Sequence, residues 1–304
     1  MAIITPALLT SLQTGFKKNF QDGLGEAQPQ YTEIATVISS NTKSNTYGWL
    51  GKFPALKKWV GERQLESMKA HGYTIVNEDF EGTVSVDRND IEDDELGVYA
   101  PLMQEMGRSA GIHPDEVCWP LLRAGFTTLC YDGQNYFDTD HPVYEKADGT
   151  GAVESVANMA EDGTYTGPIW YVIDGSKVIK PIIFQERKKP VFVSMTKVDD
   201  EAVFTKKLFR YGVDCRDAAG FSFWQLAFAN KRALNADNLW DAIKKMRTFK
   251  ADGGRKLGIR PTKLVVPPEL EDVATKLLER EIENNTSNEL KGRLKLCVAD
   301  YLDA

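Results

Sequence analysis

The stretch "TYGWLGKFPALKKWVGERQLESMKAHGYTIVNEDFEGTVSV", Thr46–Val86, decides how the chain is read. Aromatic residues at Tyr47, Trp49, Phe53, Trp59, Tyr73 and Phe80 are interleaved with Lys, Glu and Arg. Its last part has Phe80, Gly82, Val84 and Val86 at period two, which predicts a strand. No single helical or strand period runs through the whole segment. The reading is an extended excursion that leaves the body of the protein, carries a charged tip and returns. Exposed aromatics among charges mark a contact surface. The competing reading is an ordinary sheet edge that keeps a few core aromatics.

On the N-terminal side, Thr5 and Pro6 read as N-cap and first helical residue. Leu8, Leu9, Leu12 and Phe16 follow at helical spacing, and "QDGLGEAQPQ" is expected to break this short amphipathic helix. It reads either as an arm that docks elsewhere or as a helix packed on its own domain. On the C-terminal side comes "DRNDIEDDELG", Asp87–Gly97. Counted from Asp87, Ile91, Glu92 and Val98 stand where a calcium loop needs a ligand, a glycine and a glutamate, so it is an acidic helix start instead. Leu96, Tyr99, Leu102, Met103 and Met106 give a helical stripe. His113-Pro114 is expected to open a second stretch, making an interrupted helix that ends near Phe126.

"YDGQNYFDTDHPV", Tyr131–Val143, offers Asp138, Asp140 and His141 as possible metal ligands. The alternative is turn chemistry, in which short polar side chains bond to nearby backbone. The chain has three histidines, His71, His113 and His141, and no H-x-x-x-H or H-E-x-x-H pair. Further on, "IWYVIDGSKVIKPIIF" reads as two strands around an Asp174-Gly175 hairpin turn, and "KPVFVSM" continues the sheet. Leu239, Ile243 and Met246 share a helical face. "LVVPPELEDVATKLL" reads as a buried strand, a Pro267-Pro268 junction and a helix with Leu270, Val273, Ala274, Leu277 and Leu278 on one stripe.

Composition excludes several classes. At 304 residues and 42% hydrophobic the chain can bury a sizeable core in one or two domains. A net charge of −7 argues against wrapping nucleic acid through a basic surface. Cys118, Cys130, Cys215 and Cys297 form no C-x-x-C pair, which suits reduced structural thiols and cytoplasmic synthesis. No apolar run reaches transmembrane length, and the start lacks the basic region of a signal peptide. "GFSFW" lacks the second glycine of a nucleophile elbow, so Ser222 is no candidate nucleophile. "DGGRKLG" near Gly253 is no phosphate loop. No residue is assigned a catalytic, cofactor-binding or metal role, and no cofactor is expected.

Four blocks carry a resemblance: "TYGWLGKFPALKKWVGERQLES", "DRNDIEDDELGVYAPLMQEMGRSAGIHPDE", "GFTTLCYDGQNYFDTDHPV" and "LGIRPTKLVVPPELEDVATKLL". Together, and collinearly, they resemble the major head subunits of phage Mu and Mu-like prophages, the gpT family. The resemblance implies an α+β fold of the tailed-phage major capsid type, often called the Hong Kong 97 fold. On that frame residues 1–45 are an N-terminal arm and 46–86 the extended loop. Residues 87–230 are mostly the peripheral domain with its spine helix, and 231–304 mostly the axial domain. It implies no enzyme, but a subunit that forms the hexamers and pentamers of an icosahedral shell around double-stranded DNA. A portal at one vertex is also implied. Many relatives carry a long N-terminal scaffolding region, whereas here the arm begins almost at once. A separately encoded scaffold and maturation protease are therefore expected, with assembly in the bacterial host cytoplasm. Trp59 and Arg63 of the extended loop are candidate inter-subunit contacts, because Trp and Arg dominate interface hot spots. Two other functions stand as alternatives: a metal-dependent hydrolase using Asp138, Asp140 and His141, and a cellular nanocompartment shell of the same fold.

Overall fold

The computed structural model describes residues 5–51, 72–92, 95–197, 199–283 and 286–302. Helix α1 (Pro6–Glu26) begins as its sequence dictates, with the Thr5 hydroxyl accepting from the Leu8 N–H. It does not stop at Gly23 or Gly25. It runs to Ala27, which turns extended two residues before Pro29. The reason is tertiary. A Cβ on Gly23 would sit 1.9 Å from the backbone oxygen of Gln104, and one on Gly107 would sit 2.0 Å from that of Phe20. Both glycines lie where α1 crosses helix α3 (Tyr99–Ala124), and close backbone packing offsets their poor helix propensity.

Strand β1 (Ala35–Ser39) follows, then β2 (Ser44–Thr46), β3 (Thr74–Val76) and β4 (Glu78–Asp87). A short helix α2 (Arg88–Glu92) leads to α3. Helix α3 is continuous through Pro114 and Pro120, so His113-Pro114 opens no second helix. Pro120 brings no N–H to the carbonyl of Glu116, but Glu116 and Pro120 are exposed and water can serve that carbonyl. Asp115 fixes the helix from its buried side, accepting from the Gln30 and Tyr31 N–H groups at 2.9 and 2.5 Å and from Trp119 Nε1 at 3.2 Å.

Beyond α3 lie β5 (His141–Tyr144), β6 (Val153–Val156), β7 (Met159–Glu161), β8 (Trp170–Ile173) and β9 (Ile182–Met195). Then come α4 (Glu201–Lys206), β10 (Leu208–Phe221), β11 (Ala227–Lys231) and α5 (Ala236–Thr248). A two-residue ladder joins β12 (Lys250–Ala251) to β13 (Arg255–Lys256), followed by β14 (Lys263–Val266) and α6 (Glu271–Glu279). A second such ladder joins β15 (Ile282–Glu283) to β16 (Thr286–Ser287), ahead of β17 (Lys295–Val298).

Two sheets organise the chain. The first has the order β1-β9-β10-β4, with β1 parallel to β9 and the rest antiparallel. Its long strands β9 and β10 hold 14 residues each and so reach roughly 45 Å. The period-two pattern of β4 is realised: Phe80, Gly82, Val84 and Val86 face inward. Helices α1 and α3 cover that inner face, where Phe16, Phe20, Met103, Phe192, Phe209 and Tyr211 pack together. The second sheet has the order β17-β14-β8-β11-β7. Leu239, Ile243 and Met246 of α5, and Ala274, Leu277 and Leu278 of α6, are buried in its core as their spacing predicts.

The expected hairpin at Asp174-Gly175 does not form. Strand β8 belongs to the second sheet and β9 to the first, so Asp174–Pro181 is a connector between sheets. Asp174 spends its oxygens locally. Its Oδ1 accepts from the Ser176 N–H at 3.0 Å, and its Oδ2 accepts from the Arg260 N–H at 2.9 Å. Strands β7, β8 and part of β11 precede residue 230 yet lie in the same sheet as β14 and β17. A division at residue 230 therefore cuts β11 and splits that sheet.

Candidate assembly surface and the buried polar clusters

The excursion from Thr46 is rooted firmly. Strands β2 and β3 pair Thr46 with Thr74, and the two hydroxyls lie 2.8 Å apart. Below them, the Tyr47 hydroxyl donates to Gln185 Oε1 at 2.7 Å, Gln185 Nε2 donates to Asn77 Oδ1 at 2.6 Å, and Asn77 Nδ2 donates to Ser40 Oγ at 3.0 Å. Ser40, Asn77 and Gln185 are buried, and a connected buried polar network is stiff and specific. The Tyr73 hydroxyl accepts from the Phe221 N–H at 2.8 Å. The two ends of this segment, at Tyr47 and Tyr73, are therefore held on a fixed base of β9 and β10. Trp59 and Arg63 lie outside the described residues, as does His71. Of the aromatics in this segment, Tyr47, Trp49 and Tyr73 pack on the subunit's own core, and nothing in the sequence pointed to Gln185 or Asn77 as their anchor.

The first sheet has an open face. Val191, Val193 and Met195 of β9 are 42%, 48% and 42% exposed, on the side away from the helices. The registers place Val193 beside Gly212 and Thr83, Val191 beside Asp214 and Glu81, and Met195 beside Arg210 and Ser85. An apolar line flanked by mixed charges has the composition of an interface patch. No helix, loop or strand among the described residues packs on these three side chains closely enough to bury them.

The loop Tyr131–Val143 holds a buried cluster, with different members from those expected. His141 is fully buried and stacks on Trp224 with ring centroids 4.2 Å apart. Its Nδ1 lies 2.8 Å from Asp132 Oδ2, and its Nε2 lies 3.2 Å from Asn158 Oδ1. Asn158 Nδ2 donates to the carbonyls of Tyr136 and Trp224, which turns Oδ1 toward the ring. That presents an acceptor to Nε2 while Nδ1 faces the Asp132 carboxylate, so both ring nitrogens are engaged. Burial alone would lift the Asp132 carboxyl, but His141, the Cys130 thiol and the Gln134 N–H hold it below its usual value. Burial pushes the Cys130 thiol well up, so it is no nucleophile. Asp138 caps the Thr139 N–H at 2.7 Å, and Asp140 is exposed, its carboxyl raised by Asp138 beside it. Asp138, Asp140 and His141 thus form no common ligand set among the described residues, and turn chemistry accounts for Asp138.

A third cluster joins the sheets. Glu33, just before β1, meets Lys263 of β14 at 2.6 Å and Lys295 of β17 at 2.9 Å. Hydrogen bonding from Lys263 is the main cause that lowers the Glu33 pKa to about 2. All four cysteines are free and buried. Among the described residues no helix is long and apolar enough to cross a membrane.

The family description "Mu-like prophage major head subunit gpT" matches residues 9–302. The chain belongs to that family. It is 53% identical to the major capsid protein of Escherichia phage Mu, over 99% of this chain and all of that one. It is 52% identical to the Mu-like prophage FluMu major head subunit of Haemophilus influenzae, over 99% of this chain and 100% of the relative. Among solved structures, a chain of the bacteriophage JBD30 procapsid aligns with a TM-score of 0.88 at 51% identity, covering 98% of this chain and all of that one. A chain of the JBD30 capsid aligns at 0.80 with 40% identity, over 99% and 100%. The fold is that of phage major capsid proteins, mixed helix and sheet. The role is structural: a gpT-family chain is the major capsid subunit of a phage head and a component of the virion, not an enzyme.

Proposed function

We propose that this chain forms the hexamers and pentamers of an icosahedral head enclosing double-stranded DNA. The observation that most supports this is the near full-length match to a chain of an assembled phage procapsid. In this reading residues 1–45 are the arm and 46–86 the extended loop. Helix α3 with β9 and β10 is the body of the peripheral domain, on which the arm and the end of the loop add β1 and β4, and the second sheet is the axial domain. The open face of β9 and the extended loop meet neighbouring copies, with Trp59 and Arg63 as anchors. A separate scaffold and maturation protease, a portal at one vertex, and assembly in the host cytoplasm complete the proposal. A net charge of −7 suits a wall that confines DNA without adhering to it. Electron microscopy of particles from expressing cells, with nucleic-acid analysis of those made during phage growth, tests the reading. Closed shells filled with DNA are expected. Shells that hold only protein cargo would transfer the chain to the nanocompartment class.

A further inference from the structure

The inner face of β10 carries a cluster that shell assembly does not call on. His113 of α3 meets Cys215 and Asp217 of β10. His113 Nε2 lies 3.1 Å from Asp217 Oδ1, and one donor atom from each of the three falls within 4.8 Å of the others. Local structure explains the convergence. Cys215 and Asp217 are two apart on a strand and share a face. The register of β10 against β9 slips on both sides of Arg216, and bulges of this kind re-aim side chains. Arg216 itself turns toward Asp79, 3.3 Å away. A cleft of about 360 Å³ between α1, α3 and β9 opens onto His113 and Asp217. Glu186, directly opposite Asp217 in the ladder, lines the same cleft, and Lys189 lies 3.8 Å from it.

We propose that His113, Cys215 and Asp217 bind a divalent transition ion of the zinc class, with the cleft supplying the fourth position. The donor set decides the class. One imidazole nitrogen, one sulfur and one carboxylate oxygen suit zinc or cobalt, whereas magnesium and calcium take oxygen shells. In a tetrahedral zinc site the ligand atoms stand roughly 3.3–3.7 Å apart, given the usual zinc–ligand bond lengths. The His113–Asp217 pair is already near that spacing, and the remaining separations need to close by about 1.5 Å or less. Water or the Glu186 carboxylate can take the open position, and the cleft is the entry path. Burial disfavours a charged His113, yet hydrogen bonding to Asp217 and Cys215 raises its pKa to about 10. A metal there competes with the proton that His113 shares with Asp217. Metal binding takes the deprotonated imidazole nitrogen and sulfur as ligands. The other Cys-Asp-His cluster is a weaker candidate, because both nitrogens of His141 are already engaged by Asp132 and Asn158.

The test is titration of the chelator-treated, full-length subunit with cobalt(II), followed by zinc. One cobalt per chain is expected, with a thiolate-to-cobalt charge-transfer absorption that zinc abolishes. Cys215→Ser should lose that absorption, and His113→Gln should weaken binding by about tenfold or more. Cys130→Ser should keep both. As a check that needs no variant, zinc should protect Cys215 from alkylation in the native subunit, read by peptide mass spectrometry. The proposal is overturned if binding is substoichiometric, if the absorption persists in Cys215→Ser, or if zinc leaves Cys215 as reactive as before.

Discussion

The crossing of α1 and α3 makes a prediction whose sign separates two physical effects. Gly107 lies in the interior of a 26-residue helix, where replacing glycine by alanine should stabilise by about 1 kcal/mol through propensity alone. The structure says the opposite will be measured. The new methyl would stand 2.0 Å from the Phe20 carbonyl oxygen and 2.9 Å from the Leu24 nitrogen. A tolerable carbon–oxygen approach is about 3.3 Å, so the helices must part by roughly 1.3 Å. The obstruction is backbone, which cannot change rotamer to relieve it. A gap of that size forfeits at least a quarter to a half of the dispersion well for each contact across the seam. Phe16, Phe20 and Met103 are packed in that seam and are 3%, 0% and 0% exposed. Overpacking costs about 1–3 kcal/mol in general, and a backbone clash belongs at or above the top of that range. Set against the propensity gain, Gly107→Ala should destabilise the subunit by about 2 kcal/mol. Urea denaturation of the unassembled subunit, with the m-value checked for constancy, reads this directly. A variant as stable as wild type or more so would show that the helices slide apart freely, and the account of Gly23 and Gly107 would be wrong.

Other outcomes follow from the clusters. Asp132→Ala leaves a buried imidazole nitrogen without its partner and should cost about 1–3 kcal/mol in the same denaturation assay. Glu33 has a pKa depressed to about 2 against an ordinary 4.5. Its contribution to stability is therefore full above about pH 4.5 and lost as pH falls toward 2. Glu33→Gln should flatten the stability–pH curve in that window, and an unchanged slope would count against the Lys263–Glu33–Lys295 link. Val193→Glu, on the open sheet face, should shift subunit stability by less than about 0.5 kcal/mol while blocking shell formation seen by sedimentation. Trp59→Ala should likewise spare the subunit and weaken assembly by about 2 kcal/mol or more per contact, whereas a loss of about 3–5 kcal/mol of folding stability would place Trp59 in the subunit's own core.

What could be read from the sequence was what depends on local periodicity. The Thr5 cap, the alternation along Phe80–Val86, and the stripes of α5 and α6 are written in spacings of two to four residues and survive unchanged in the fold. What could not be read depends on partners far away in the chain. Gly23 looks like a helix breaker until Gln104 is opposite it. Pro114 looks like a helix start until the helix around it is held by Asp115 and its bonds to Gln30 and Tyr31. Asp174-Gly175 has the composition of a hairpin turn, but the strands on either side find better partners in different sheets, and the aspartate closes a local turn instead. The same holds for the loop after Cys130. Counting donors pointed to Asp138 and Asp140 because they are adjacent to His141, while the side chains that reach His141 come from Asp132 and from Asn158, 17 residues on.

These long-range contacts share one arrangement. Tyr47, Asn77 and Gln185 tie the excursion to β9, and Asp115 ties the start of β1 to α3. Glu33 ties that same start to β14 and β17. Each of these polar groups therefore bonds across a joint between two elements that must keep a fixed relation. On the proposed function, in which the open sheet face and the segment after Thr46 meet neighbours, the joints between elements must hold their angles from within the subunit. Apolar packing there is non-directional and would tolerate sliding, whereas charge-assisted bonds at 2.6–2.9 Å define both distance and direction. That placement suits the proposed shell, in which many copies meet their neighbours at one repeated geometry.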